Sequence, residues 1–105
     1  MKKPMIIRVE AEADLAGAHR WYEEQVSGLG TDFLGCVDAV MASIEMNPQL
    51  YPVVYRNILR RALTRRFPYG VFFVDGKRFI SVMGIVHMKR SPRVWKDRLP
   101  GNQSV

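Results

Sequence analysis

Residues 67 to 86 hold the pattern that most limits what this chain can fold into. Aromatic and β-branched residues occur at both sets of alternating positions in residues 67 to 74, which is typical of a strand buried on both faces. The dipeptide Asp75-Gly76 follows, a preferred two-residue turn between antiparallel strands, and residues 79 to 86 are again rich in strand formers. The alternation predicts two sets of side chains: Phe67, Tyr69, Val71 and Phe73 on one face, and Gly70, Phe72 and Val74 on the other.

The N-terminal half has a helical period instead. Residues 5 to 10 are rich in Ile and Val and predict a first strand. Apolar residues then recur at spacings of three or four through residues 14 to 26, which predicts an amphipathic helix. Thr31 is a favourable N-cap for a second helix, which Asn47-Pro48 is expected to end.

This order of elements predicts an α+β fold with the sequence β-α-α-β-β-β. A helix hairpin would pack on a small, mainly antiparallel sheet, and Pro92 suits the first turn of a short C-terminal helix or tail. With 105 residues, the chain is expected to form a single domain over residues 1 to 105. Its apolar N-terminal run is too short for a secretion signal or a membrane span, so we expect a cytoplasmic protein without membrane contact.

Little in the sequence points to metal or nucleophilic chemistry. The single cysteine, Cys36, excludes an internal disulfide and is expected in the core. The sequence has no carboxylate pair, Ser-His-Asp set, glycine-rich phosphate loop or metal-ligand spacing, so we expect no metal and no cofactor. A histidine such as His87 is a residue type suited to general-base chemistry, but Met83 and Ile85, expected on the same face of its strand, favour a packed structural histidine.

Charge is divided unevenly along the chain, whose formal net charge is +6. Residues 1 to 55 contain four Lys or Arg and eight Asp or Glu, a net charge of −4. Residues 56 to 105 contain twelve Lys or Arg and two Asp, a net charge of +10. Solvated surfaces usually mix the two signs, so this concentration predicts a contact surface for a negatively charged partner, either nucleic acid or an acidic protein segment.

Nine of these twelve basic residues lie in two segments, 60 to 66 and 87 to 98. Arginine suits such a surface because its planar guanidinium binds carboxylate or phosphate through two hydrogen bonds. The C-terminal segment either belongs to the binding surface or forms a helix docked by Val94 and Trp95, and both alternatives remain open. The candidate binding residues are Arg60, Arg61, Arg65, Arg66, Tyr69, His87, Lys89, Arg90, Arg93, Trp95 and Arg98.

Several short segments, in a fixed order from about residue 5 to residue 98, together resemble a known family. They are Ala13-Asp14-Leu15, Trp21-Tyr22-Glu23, Leu29-Gly30-Thr31-Asp32-Phe33-Leu34, Asn47-Pro48, residues 61 to 73 and residues 87 to 98. Together they resemble the RelE/ParE superfamily of bacterial type II toxin–antitoxin toxins, also described as plasmid stabilisation proteins. The resemblance implies a RelE/ParE-like fold, a cognate antitoxin bound in a hetero-oligomer, and a cellular target whose inhibition arrests growth.

The resemblance leaves two branches of that superfamily to distinguish. RelE-like members cleave messenger RNA in the ribosome with basic side chains, whereas ParE-like members inhibit DNA gyrase without the nuclease residues. Arg61, Arg65 and Lys89 or Arg90 fall where the nuclease branch keeps cations, and they would be the catalytic residues of a ribonuclease.

Three positions depart from the nuclease pattern. Leu63 and Gly70 stand where nucleases often have lysine and arginine, and Trp95 stands near the place of a C-terminal tyrosine. An indole cannot exchange a proton at useful pH. The resemblance therefore favours a ParE-like inhibitor of gyrase over an enzyme. The alternatives are a RelE-like, ribosome-dependent endoribonuclease and a non-toxic nucleic-acid-binding module, which the basic half alone would permit.

Overall fold

The computed structural model describes residues 3 to 99, which form a five-stranded sheet with two long helices on one face. In chain order the elements are β1 (Met5–Ile7), α1 (Val9–Gln25), α2 (Leu29–Met46), β2 (Val53–Tyr55), β3 (Leu59–Leu63), β4 (Tyr69–Asp75), β5 (Ile80–His87) and α3 (Arg93–Lys96), with a 3₁₀ turn at Pro48–Leu50. The order across the sheet is β1-β5-β4-β3-β2, in which β1 runs parallel to β5 and every other pair is antiparallel.

This architecture confirms the predicted α+β fold, with its helix hairpin, mainly antiparallel sheet and short C-terminal helix. The single-domain prediction also covers residues 1 to 2 and 100 to 105, which lie outside the described residues. Within residues 3 to 99, no helix is both long enough and apolar enough to cross a membrane.

The first helix begins earlier than predicted, and the first strand is shorter. β1 ends at Ile7 and α1 begins at Val9, so residues 9 and 10 are helical rather than extended. Glu10 and Glu12 lie in the first turn of α1, where negative charge is favourable beside the positive end of the helix dipole. Ala11 is fully buried there, so the first turn of α1 contributes Ala11 to the core.

The second helix begins at Leu29 rather than at Thr31. The Glu23 carboxylate accepts the backbone N–H groups of Gly28 and Gly30 at 2.8 and 2.9 Å. These groups would otherwise lack partners at a helix start, so a side chain of α1 provides the cap that Thr31 was expected to provide. Gly30 is also required for the close approach of the helices, because a Cβ there would lie 2.6 Å from the His19 carbonyl oxygen.

β4 is buried on both faces, as its alternating pattern predicts. Val71 and Phe73 belong to the helix-side core, whereas Phe72 belongs to the α3-side core on the opposite face. Cys36 is partly buried against the first of these. The helix-side core comprises Ala11, Ala18, Phe33, Val37, Met41, Ile44, Ala62, Phe67, Val71, Phe73, Ile80, Val82 and Ile85. The α3-side core comprises Leu59, Phe72, Met83, Val86, Trp95 and Leu99.

A β-bulge in β5 changes the predicted orientation of its residues. Phe72 pairs with Gly84 and Phe73 pairs with Val82, so Met83 is an extra residue in β5. Met83 consequently lies in the α3-side core, while Ile85 lies in the helix-side core. The expectation that these two residues share a face is wrong, because the bulge interrupts the period of two.

The edge strand β2 was not predicted. It is joined to β3 by a turn in which Arg56 and Asn57 have φ angles of 53° and 61°, and the Ile58 N–H donates to the Tyr55 carbonyl at 3.2 Å. Two successive positive φ angles are typical of a tight hairpin turn that usually contains glycine. The absence of glycine at residues 56 and 57 explains why the sequence pattern did not indicate this hairpin.

Candidate binding surface

The loop between β3 and β4 lies beside the turn that follows β5. Tyr69 and His87 are register partners, and the Met88 N–H donates to the Pro68 carbonyl at 2.8 Å. Because β4 and β5 are antiparallel, the start of one and the end of the other meet at the same end of the sheet. Four exposed basic residues stand on these two segments, and we call them the cationic end: Arg65, Arg66, Lys89 and Arg90.

Hydrogen bonds hold both segments of the cationic end in defined conformations. Thr64 is buried, and its hydroxyl donates to the Phe67 carbonyl at 2.5 Å while its backbone N–H donates to the Tyr69 carbonyl at 3.0 Å. After β5, the Lys89 N–H donates to His87 Nδ1 at 3.0 Å, and the Arg90 N–H donates to the His87 carbonyl at 2.9 Å. The basic side chains therefore extend from a well-supported backbone.

The charge of the cationic end is largely unneutralised. Arg66 pairs with Asp32 at 3.4 Å, but both side chains are more than half exposed, so the pair contributes little. Among the residues that the structure describes, Arg65, Lys89 and Arg90 form no salt bridge. This end of the sheet therefore carries a positive potential that attracts a negatively charged partner.

Arg60 and Arg61 lie on opposite faces of β3. Arg60 donates to the Tyr51 carbonyl at 2.6 Å and so ties β3 to the segment that follows α2. Arg61 lies beside Gly70, where an added Cβ would come 3.2 Å from Arg61 Cγ and 2.9 Å from Met88 Sδ. Its Nε is buried without a hydrogen-bond partner in the part of the chain between residues 3 and 99. Gly70 thus leaves room for an arginine that retains hydrogen-bonding capacity.

Trp95 and Arg98 hold α3 against the sheet. Trp95 is 8% exposed, and its ring stacks on Phe72 with the centroids 4.5 Å apart. Arg98 forms two hydrogen bonds with Asp14, Nη1 to Oδ2 at 2.5 Å and Nη2 to Oδ1 at 3.2 Å. Of the two alternatives for the C-terminal segment, the structure has the docked helix. Arg93 remains exposed, and a binding role for these three residues stays a prediction.

Tyr69, His87 and Arg90 also line a cavity of about 360 Å³ between α1 and the sheet. The rings of Tyr69 and His87 pack edge to face at 5.2 Å, as expected for a packed histidine. Burial raises the pKa of Tyr69 above its ordinary value of 10.0, and Arg90 opposes that shift. Trp21 lines the same cavity, and its exposure on an amphipathic helix is a signal that the sequence interpretation did not use.

A second groove, of about 340 Å³, runs beneath the cationic end and is lined by residues 63 to 69 and Met88. Leu63, which is 54% exposed, adds an apolar surface beside the arginines. Within the described range, no cluster of three or more His, Cys, Asp or Glu side chains could hold a metal ion. This end of the sheet is therefore suited to binding, because exposed apolar groups lie beside the basic side chains.

Comparisons with known proteins agree with this architecture. No protein-family model matches the sequence, and no curated protein matches it. Among solved structures, a chain of the chromosomal ParDE TA system from P. aeruginosa matches with a TM-score of 0.74 and 12% sequence identity. The match covers 84% of this chain and 98% of that chain. The chain therefore has the RelE/ParE-like fold that its ordered sequence segments implied.

Proposed function

We propose that this chain is the toxin component of a bacterial type II toxin–antitoxin system and arrests growth by binding DNA gyrase. The observation that carries the proposal is the fold shared with a chain of a ParDE TA system over 84% of this chain. Proteins that share a fold can differ in function, so the proposal also depends on the charge and shape of the binding surface. The proposal requires a cytoplasmic protein, because gyrase acts there.

The cationic end supports an acidic protein partner, which we identify as a cognate antitoxin. Arg65, Lys89 and Arg90 are exposed and lack salt bridges among the described residues, and the groove beneath them is partly apolar. A partly disordered antitoxin segment can fold onto such a surface, and opposite charges accelerate its association. Antitoxin binding over the cationic end would neutralise the toxin in a hetero-oligomer.

The α3 side of the sheet favours binding over RNA cleavage. Around Arg61 lie Gly70 and the α3-side core, in which Trp95 is buried against Phe72. None of these neighbours can transfer a proton at neutral pH, and general acid–base catalysis is worth roughly 10²- to 10⁴-fold in rate. The buried Nε of Arg61 is the observation that favours the alternative, a RelE-like ribonuclease that holds a phosphate there.

A supercoiling assay with purified gyrase tests the proposal directly. The wild-type chain should block supercoiling, and the double variant Arg65→Glu/Arg90→Glu should lose most of this inhibition. The matched control is Lys77→Glu/Arg78→Glu, which makes the same charge change in the exposed turn at the opposite end of β4. A folded wild-type protein that leaves supercoiling intact would contradict gyrase as the target.

Labelling of DNA and protein synthesis in bacteria, minutes after induction, separates the alternatives. Early loss of DNA synthesis supports the gyrase proposal. Early loss of protein synthesis would instead indicate the ribosome, and alanine at both Arg65 and Arg90 should then abolish cleavage of messenger RNA. No effect on either synthesis, together with salt-sensitive binding to plain duplex, would favour a non-toxic nucleic-acid-binding module.

A further inference from the structure

The cavity between α1 and the sheet, which we call the α1 cavity, is lined by residues of α1, β4, β5 and the turn after β5. Ala13, Gly17 and Ala18 form one wall along α1, and β5 forms the other with Ile85 and Val86. Because these α1 residues have small side chains, they leave the space between the helix and β5 unfilled. A Cβ added at Gly17 would meet no atom within 4 Å. With about 360 Å³, the cavity falls within the roughly 300 to 1,000 Å³ typical of small-molecule sites.

Aromatic rings stand at the mouth of the α1 cavity. Trp21 is 55% exposed, although it is a large apolar residue. Its ring contacts Tyr22 edge to face at 5.1 Å, and Tyr69 lines the same cavity. An exposed indole at the mouth of a cavity is a platform on which a planar ring can stack.

The uncommitted polar groups that line the α1 cavity are hydrogen-bond donors. Arg90 is a permanent cation. His87 Nδ1 accepts the Lys89 N–H at 3.0 Å, so the neutral imidazole carries its proton on Nε2. Burial raises the pKa of Tyr69, and its hydroxyl therefore remains protonated at neutral pH. These groups converge from β4, β5 and the turn after β5.

The carboxylate in the cavity wall, Asp14, is already neutralised. It forms two hydrogen bonds with Arg98 and accepts the Ile85 N–H at 2.9 Å. A ligand therefore meets the positive charge of Arg90 and neutral donors, without an opposing unpaired carboxylate from Asp14. The combination selects a ligand that is both planar and anionic.

We propose that the α1 cavity binds a nucleotide, with the base stacked on Trp21 and the phosphate held by Arg90 and the His87 Nε2–H. The cavity lining includes Ile85 of the helix-side core and Val86 of the α3-side core on β5, whereas Arg61 lies on β3, which β4 separates from β5. The site shares Arg90 with the cationic end. Nucleotide binding and the proposed action on gyrase can still exist without each other, because nucleotide binding also depends on Gly17 and Trp21, which are not part of the cationic end.

Calorimetric titration of the full chain with adenosine monophosphate, adenosine and inorganic phosphate tests the site. Adenosine monophosphate should bind more tightly than either part alone. Gly17→Leu should abolish binding because leucine fills the cavity, whereas Gly35→Leu should leave it unchanged. Gly35 is the matched control because it is also a helical glycine whose added Cβ would meet no atom within 4 Å.

Two side-chain variants test the assigned roles. Trp21→Ala should weaken binding about tenfold through lost stacking. Arg90→Gln should weaken it about tenfold through loss of the charged hydrogen bond, while Arg78→Gln, the same charge change at an exposed position outside the cavity, should not. Equal affinity in Gly17→Leu and Gly35→Leu would overturn the assignment, as would unchanged affinity in both Trp21→Ala and Arg90→Gln.

A parallel titration with a 5′-phosphorylated RNA trinucleotide identifies the source of the nucleotide. Equal affinity for the mononucleotide and the trinucleotide supports a free nucleotide. Affinity at least tenfold higher for the trinucleotide supports the end of an RNA strand. Absence of binding by both at about 1 mM would overturn the proposal.

Discussion

The two faces of the sheet are covered in different ways. On the helix side, α1 and α2 cover the sheet, and the rings of Tyr22, Phe33, Phe67 and Tyr69 contact one another at 4.8 to 6.1 Å. On the other side, the cover includes a four-residue helix, α3, which is held by Trp95 and Arg98. We infer that contacts on the helix side contribute most of the free energy of unfolding, whereas the α3 side can unfold locally.

Phe33→Ala should have the largest effect on stability. Phe33 is fully buried, and its ring contacts those of Tyr22, Phe67 and Tyr69. Removal of the ring leaves a cavity between α2 and the sheet and should lower the free energy of unfolding by about 4 kcal/mol. Urea denaturation measures the loss, and a cost below about 1.5 kcal/mol would contradict the central role given to the helix side.

Trp95→Ala should cost less, about 2 to 3 kcal/mol, because α3 can detach without opening the helix-side core. Hydrogen exchange should show the loss of protection in α3, while β4 and β5 stay protected. Trp21→Ala is the matched control, since Trp21 is 55% exposed, and it should cost less than about 1 kcal/mol. Loss of protection throughout the sheet in Trp95→Ala would show that the two faces unfold together.

Asp14→Asn should cost about 1 to 2 kcal/mol, because it leaves the Arg98 guanidinium without its counter-charge. Both side chains of the pair are about one-fifth exposed, at 20% and 19%, so solvent screens part of the loss. The double variant Asp14→Asn/Arg98→Met should be less destabilised than the sum of the single variants. Strict additivity would show that the ion pair does not connect the two faces.

Glu23→Gln should have the smallest effect and should depend on pH. The hydrogen bond from the Gly28 N–H is the main reason that the pKa of Glu23 lies below its ordinary value of 4.5. A lowered pKa stabilises the fold above pH 4.5, and this stability is lost as the pH falls through the lowered value. The difference in melting temperature between the wild-type protein and Glu23→Gln should therefore be larger at pH 7 than at pH 3. A difference that does not change with pH would contradict the role of the Glu23 charge.

The elements that could be predicted from sequence are those with local signals. The β4–β5 hairpin and the two-sided burial of β4 follow from a period of two and a nearby turn dipeptide. The predicted position of the turn, Asp75-Gly76, is wrong: Asp75 pairs with Ile80 and the Gly76 N–H donates to the Phe79 carbonyl at 3.0 Å, so the turn lies at residues 77 and 78. The start of α2 could not be predicted, because its cap comes from Glu23 on the preceding helix. The bulge at Met83 likewise depends on pairing with β4 rather than on any residue type.

The concentration of basic residues at the candidate site could be predicted from sequence, but the positions and partners of their side chains could not. Charge asymmetry identified Arg65 and Arg90 as candidate contact residues, and antiparallel strands bring their segments to one end of the sheet. The partner of Arg98 is Asp14, 84 residues away, so the sequence could not separate this structural arginine from its exposed neighbours. Trp21 was overlooked for a similar reason, since the cavity that it lines is completed by residues of the distant strand β5.

The parallel pairing of β1 with β5 has a consequence for the order in which the molecule is completed during synthesis. Met5 of β1 pairs with Ile80 of β5. Asp14 forms its hydrogen bonds with the Ile85 N–H and the Arg98 guanidinium, both more than 70 residues later in the chain. Contacts between such distant residues form late, after the intervening chain has been made. A nascent chain that ends before β5 leaves β1 without its partner strand and lacks half of the cationic end. The complete surface therefore belongs to the finished protein.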